Sequence, residues 1–337
     1  MRYLFVLSAA FLACQGANYE PIELSGPAQG SSYRIVYDAA QADPLQSAVD
    51  SIFQKVNEAL STYHEGSLIL QFNAEAELAT DNALFIEMVS RSRDIATLTE
   101  GAFDPTVMPL VRAWGFGPDN ALVPKIDNLD SLRQFVGMAQ IEQEEGRESH
   151  IFRKRQSGVQ LDFNAIAQGY TVDLLGRILE ARGLDNYFVE VGGEILTKGE
   201  NPQGKAWTIG IEKPIDIAGI SELATLVRVS DQAVATSGNY RKFYEKDGIR
   251  YSHTIDPATG RPVQHSLLST TVLASDCATA DAFATAFMVM GLEKAQAFLA
   301  KHPELELEAY FILGLAPGNY DFVATNGMEE RLLSAEE

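Results

Sequence analysis

The stretch STTVLASDCATADAFATAFMVMG, Ser269 to Gly291, places an alternating β-branched run directly before an Ala- and Phe-rich one. Ser269 to Ala274 reads as a strand and Thr279 to Met290 as a helix; a second helix over Leu292 to Lys301 and strands over Ala309 to Leu313 and Tyr320 to Ala324 complete the chain. Toward the N-terminus, short alternating runs at Tyr187 to Thr197, Trp207 to Glu212, Leu223 to Val229, Ala233 to Thr236 and Arg250 to Ile255 are separated by Gly, Pro, Asn and Asp turns. That spacing predicts antiparallel sheet. Runs of strands broken by helix pairs give an α+β class, because a parallel sheet would need a helix after nearly every strand.

Further out, a strand at Gly158 to Leu161 leads into LDFNAIAQGY and a helix that reaches Arg182 and ends at Gly183. Ser31 to Tyr37 alternates as a strand, and the stretch up to Pro27 before it is polar. Pro44 opens a helix with Leu45, Val49, Ile52, Phe53, Val56 and Leu60 on one stripe, and Asn82 begins another that Gly101 stops. STYHEG, between them, is a turn. Residues 118–147 read as surface loop with a short helix near 129–136. The chain has no low-complexity segment and no internal repeat.

Within the opening stretch, Asp281 and Thr285 stand four residues apart and share one helix face. A carboxylate and a hydroxyl so placed suit a hard cation such as Mg²⁺, which takes oxygen ligands, one or two carboxylates among them, and leaves positions for water and phosphate. The same pair also fits an ordinary helix face.

A chain of 337 residues, 46% hydrophobic and 21% charged, has ample material for a core. A net charge of −20 excludes nucleic-acid and anionic-membrane surfaces, which need basic patches. It also means that an anionic ligand would have to be held by a bound cation, helix N-termini or backbone amides rather than by the general field. At the N-terminus, Arg2 precedes an apolar run from Tyr3 to Ala13, the length of a signal-peptide core and too short to span a bilayer. Ala13-Cys14 resembles a bacterial lipoprotein processing site, with Phe11 where Leu is usual; ordinary secretory cleavage nearby is the other reading. The expected organisation is a leader over 1–17 and one domain over 18–337. Export to the periplasmic face of a bacterial membrane, anchored by lipid on Cys14, is expected. Cys277 would then be the sole thiol, and no intramolecular disulfide could form.

Five segments carry the chemistry: LDFNAIAQGY at 161–170, EVGGEI at 190–195, TSGNY at 236–240, HTIDPATGRP at 253–262 and, from the opening stretch, TADAFATAFMVMG at 279–291. Each alone fits a bulge, a loop or a structural histidine. In this order, with GSSY at 30–33, STY at 61–63, TEGAFDPTVMPL from Thr99 and WGFG ending at Gly117, they resemble the FAD:protein FMN transferase family, the ApbE-like flavin transferases. The resemblance covers nearly all of the chain after the leader. It implies an α+β, duplicated T-fold-like architecture. It also implies an enzyme that moves the FMN half of FAD onto a Thr or Ser hydroxyl of a partner flavoprotein, forming a phosphoester and releasing AMP, with Mg²⁺ as cofactor. Two other activities stay open: an Mg²⁺-dependent FAD pyrophosphatase giving FMN and AMP, and a non-catalytic periplasmic FAD-binding lipoprotein.

The resemblance implies that Asp281, Thr285 and the backbone carbonyl of Ala165 hold the metal. It maps FAD contacts to Gln29, to Gly101, Ala102 and Phe103 with Asp104 adjacent, and to Asp162, Gln168 and Ile255. Gly192, Gly193 and Gly238 look like points where a missing Cβ lets the backbone approach a ligand. His253, beside Ile255, is the candidate general base, since an imidazole titrates near neutral pH. His64, His150, His265 and His302 match no motif and are assigned to the surface. Similar proteins commonly carry Met at the place of Gln29 and Lys at that of Gln168, so the second change removes a positive charge from the implied site.

Overall fold

The computed structural model describes residues 20–38, 45–117, 128–215, 222–240, 243–246, 249–316 and 318–333. The expected leader, Cys14 and Pro44 lie outside them, as do residues 118–127 of the expected loop. Among the described residues no helix is long and apolar enough to cross a membrane.

An eight-stranded sheet organises the chain, in the order Pro21–Ala28, Ser31–Asp38, Tyr187–Val191, Glu194–Lys198, Ala233–Gly238, Leu267–Ala274, Glu308–Ala316 and Asn319–Ala324. Every neighbouring pair is antiparallel. Alternate residues of the central strands divide between two cores, as the two-residue pleat requires. Tyr33, Ile35, Tyr187, Val189, Ala235, Val272 and Phe311 enter the main core beneath the helices. Val36, Phe188, Val234, Leu273, Tyr310 and Ile312 enter a second, against Trp207, Ile209, Val227 and Val229 of the hairpin formed by Trp207–Glu212 and Leu223–Val229. The result is three layers: hairpin, sheet and helices.

Two helices lie at the centre of the helical layer, Ala167–Glu180 and Cys277–Met290. The second buries residues on every side, including Ala278, Ala282, Phe283, Ala286 and Phe287, which is why its sequence is apolar all round. The two pack closely because Gly169 has no side chain. A Cβ there would lie 2.3 Å from the Cys277 carbonyl oxygen and 2.9 Å from Asp281 Cβ. Both obstacles belong to another helix, so relief requires the helices to separate. Gly169→Ala is therefore expected to cost about 3 kcal/mol through overpacking. Urea denaturation checks this; an unchanged midpoint would contradict the close approach.

Several elements depart from the sequence reading. Pro21–Ala28 is a strand despite its polarity, because it is the sheet edge, with alternate residues exposed and Ile22 and Leu24 packed against the main core. Residues 158–161 are loop: the Asn73 side chain accepts from Leu161 N at 2.7 Å and donates to Leu161 O at 2.8 Å, using the groups that a ladder would need. The expected loop before Arg147 contains a strand, Ile141–Glu145, pairing with His150–Lys154, while its short helix forms as Leu129–Arg133. The run from Arg250 to Ile255 is broken into Ile249–Ser252 and Ile255–Asp256, which pair with different partners. The helix Gln46–Leu60 and the Asn82-capped helix Ala83–Leu98 form as expected.

Candidate active site

Asp281 is a carboxylate in an otherwise apolar helix, 6% exposed. Its Oδ2 accepts a hydrogen bond from Gly169 N at 3.2 Å. That amide is in the first turn of Ala167–Glu180, where donors have no partner within the helix and where Ile166 offers no capping side chain. Tyr170 N donates to Ile166 O at 2.9 Å, while Gly169 N turns to Asp281. The ladder of this helix thus begins at Ile166 and leaves the Ala165 carbonyl outside it. One turn beyond Asp281, the Thr285 hydroxyl shares a hydrogen bond with Ser237 at 3.0 Å. A carboxylate, a hydroxyl and a backbone carbonyl outside the helix ladder are the oxygen donor types that a small hard cation takes.

Asp281 is pushed up to about 7, chiefly by burial and in lesser part by Asp173, against the opposing Gly169 hydrogen bond. Asp173 is also pushed up to about 7, by burial and then by Asp276, although it accepts from Cys277 N at 2.7 Å and Ala278 N at 2.9 Å. A raised carboxyl pKa means that the folded chain holds a proton the unfolded chain has released. The associated stability is complete below the ordinary value of 3.8 and lost as the pH rises to about 7. Asp281→Asn keeps the acceptor for Gly169 and removes the charge. In metal-free buffer its thermal midpoint is expected to gain on the parent's between pH 4 and pH 7; parallel curves would contradict this.

The other residues implied by the resemblance are joined to this point through short links. Gln168 lies over the hairpin turn Gly192-Gly193, whose positive φ values of 70° and 110° suit a two-residue turn. A Cβ on Gly192 would stand 2.3 Å from Gln168 Nε2, so the glycine makes room for that side chain. Gly193 faces open space, and the room beside Gly238 is filled by the Tyr240 ring. Gln29 is in the turn between the first two strands with φ of 47°. Its Nε2 donates to Thr171 Oγ1 at 2.8 Å, and its Oε1 is buried without a partner.

Gly101 to Asp104 leave the helix Ala83–Leu98, with Ala102 N bonded to Thr99 O and Phe103 N to the Thr99 hydroxyl. The Phe103 ring is in the main core, so only its backbone is available to a ligand. Asp104 accepts from Thr106 N at 2.8 Å and caps the turn Pro105–Val107; burial raises its pKa. Pro105 O accepts from Asp162 N at 2.8 Å, which brings this loop to the one that carries Ala165.

On the other flank, His253 lies edge-on to Phe116, their centroids 6.4 Å apart. Its neighbour Thr254 donates to Asn239 Oδ1 at 2.5 Å, two residues after Ser237, so the His253 segment is tied to the strand end that holds Thr285. Ile255 is buried against Leu110 and Trp114, and Trp114 Nε1 donates to Gly260 O at 2.8 Å. A cleft of about 770 Å³ borders Gly192 and Gly193 and is walled by Phe188, Trp207 and Tyr240. Neither Asp281 nor His253 lines it, so it adjoins the site rather than containing it.

Sequence reasoning missed Gly169, Ser237 and Asn239.

The ApbE family profile matches residues 29–311. An FAD:protein FMN transferase from Vibrio cholerae is 38% identical over 308 residues, spanning 88% of this chain and 90% of the relative. One from Haemophilus influenzae is 34% identical over 91% of this chain and 90% of its own length. The solved structure of the flavin transferase ApbE from Vibrio cholerae superposes with a TM-score of 0.80 at 36% identity, over 93% of this chain and all of the other. An ApbE protein from Thermotoga maritima gives a TM-score of 0.81 at 27% identity, over 94% of this chain and all of the other.

Proposed function

Because the chain belongs to the ApbE family, we propose that it transfers FMN from FAD to a Thr or Ser hydroxyl of an acceptor flavoprotein with Mg²⁺ as cofactor. The observation that carries this reading is the oxygen donor set of Asp281, Thr285 and the Ala165 carbonyl around the close crossing of two helices. These three groups would hold the cation, which when bound supplies charge neutralisation for a diphosphate.

The chain's own residues do the rest. The acceptor oxygen forms a bond to the FMN phosphorus as the bond from that phosphorus to the AMP oxygen breaks. His253 takes the proton that the acceptor hydroxyl releases, and AMP departs with the bonding pair. Gln29 Oε1, buried and without a partner, is an acceptor for a polar hydrogen of the nucleotide. The Gly192-Gly193 turn and the Gln168 amide offer no positive charge to a diphosphate, so its neutralisation would fall to the cation.

The test is incubation of the protein with FAD, Mg²⁺ and a substrate domain bearing a Thr or Ser motif, followed by denaturing electrophoresis and in-gel flavin fluorescence. A fluorescent acceptor band that EDTA abolishes is expected. AMP release without a band would assign a pyrophosphatase instead, and tight FAD binding without turnover a carrier. The leader reading belongs to the same proposal: the chain is exported and anchored at the periplasmic face through Cys14. Fatty-acid labelling lost in Cys14→Ser is expected; labelling that persists in that variant would overturn it.

A further inference from the structure

Glu194 has no part in the chemistry described so far, yet its environment is that of a site residue. It begins the strand after the Gly192-Gly193 turn, is 7% exposed, and its Oε2 is buried with no hydrogen-bond partner. Leaving a carboxylate oxygen buried and unpaired is costly, so such an atom requires an explanation. The charged groups that bear on it among the described residues, Asp281 and Glu190, are both acidic.

One hydrogen bond and the packing around the Gly192 turn link the Glu194 strand to the Asp281 helix. Glu194 Oε2 and Gln168 Nε2 lie 3.2 Å and 2.3 Å from the place of a Gly192 Cβ, so both side chains converge on the turn. Gln168 is followed by Gly169, the residue that donates to Asp281. The Cys277 thiol donates to Ile195 O at 3.5 Å, pinning the strand that begins at Glu194 to the helix that carries Asp281. Both carboxyl groups are buried, and among the described residues the charges that bear on Glu194 are acidic. Burial and the charge of Asp281 hold Glu194 well above the usual carboxylate range, as expected of an acid awaiting a counter-charge.

We propose that Glu194 is the second carboxylate of the divalent-cation site, acting on the cation at Asp281 directly or through a bound water. A site with two carboxylates, one hydroxyl and a carbonyl is within what Mg²⁺ accepts, and it explains how an acidic pair is tolerated at the centre of the fold. The inference rests on the reading of Asp281 and Thr285 as cation ligands. It differs in giving a residue of the glycine turn a share of the metal's affinity.

Isothermal titration of MgCl₂ into the metal-free protein, with FAD omitted, separates the two ideas. Binding by the parent, loss in Asp281→Asn, binding about tenfold weaker or worse in Glu194→Gln and partial recovery in Glu194→Asp are expected. The metal-free thermal midpoint of Glu194→Gln should equal or exceed the parent's, since one of two repelling acids is gone. Mg²⁺ affinity in Glu194→Gln within twofold of the parent, with Asp281→Asn still deficient, would overturn this inference and leave the Asp281 reading standing. A metal-free midpoint well below the parent's would make Glu194 a packing residue and overturn it as well. No Mg²⁺ binding by the parent would overturn both readings.

Discussion

Asp281→Asn is expected to lower FMN transfer by about 10³-fold or more, the scale of losing the main source of charge stabilisation in a phosphoryl transfer. The substitution is nearly isosteric, and its amide oxygen still accepts from Gly169 N, the hydrogen bond made by Asp281 Oδ2 at 3.2 Å. The crossing of the two helices is therefore preserved, and with it the placement of Ala165 and Thr285. Alanine would be a poorer probe, since it leaves the Gly169 amide buried and unpaired at a cost of about 1–3 kcal/mol. Single-turnover formation of the fluorescent acceptor, with circular dichroism as the control for folding, is the measurement. Activity within tenfold of the parent would remove Asp281 from the cation site.

His253→Gln is expected to slow the transfer step by about 10²–10⁴-fold, the usual worth of a positioned general base, while FAD binding changes by no more than about threefold. The split matters because His253 has two plausible uses. Its ring lies edge-on to Phe116, and its segment is held to Asn239 by Thr254. Glutamine retains polarity without an equivalent proton acceptor, so a positioning role would survive in part and a base role would not. Binding measured by flavin fluorescence quenching and transfer measured at saturating FAD supply the two numbers. Equal losses in both would make His253 a positioning residue.

The local features of this molecule were legible in its sequence, and the distant ones were not. Spacing alone put Asp281 and Thr285 on one face, and Asn82 and Gly183 marked real helix boundaries, whereas the run read as one from Tyr187 to Thr197 is two strands joined by a hairpin at Gly192-Gly193. These depend on residues within a few positions of one another, where backbone geometry is set locally. The false strand at 158–161 shows the limit: its residues have strand character, but Asn73, some 88 positions away, takes the hydrogen bonds of Leu161. Gly169 likewise reads as a weak point inside a helix until the helix beginning at Cys277 is laid against it. Glu194 was visible as a letter in EVGGEI, but its meaning depends on burial beside Asp281, which no spacing reveals. Of the three glycines read as openings for a ligand, Gly193 faces open space, while Gln168 occupies the room beside Gly192 and Tyr240 that beside Gly238.

The central claim is that a nucleotide's phosphorus passes to a protein hydroxyl at the crossing of these two helices. Intact-mass spectrometry of the acceptor domain after incubation with FAD and Mg²⁺, with AMP quantified in the same sample, tests it most directly. An acceptor heavier by one FMN residue, mapped by fragmentation to a single Thr or Ser, with one AMP formed per adduct, is the expected result. AMP accumulating while the acceptor mass stays unchanged would contradict it.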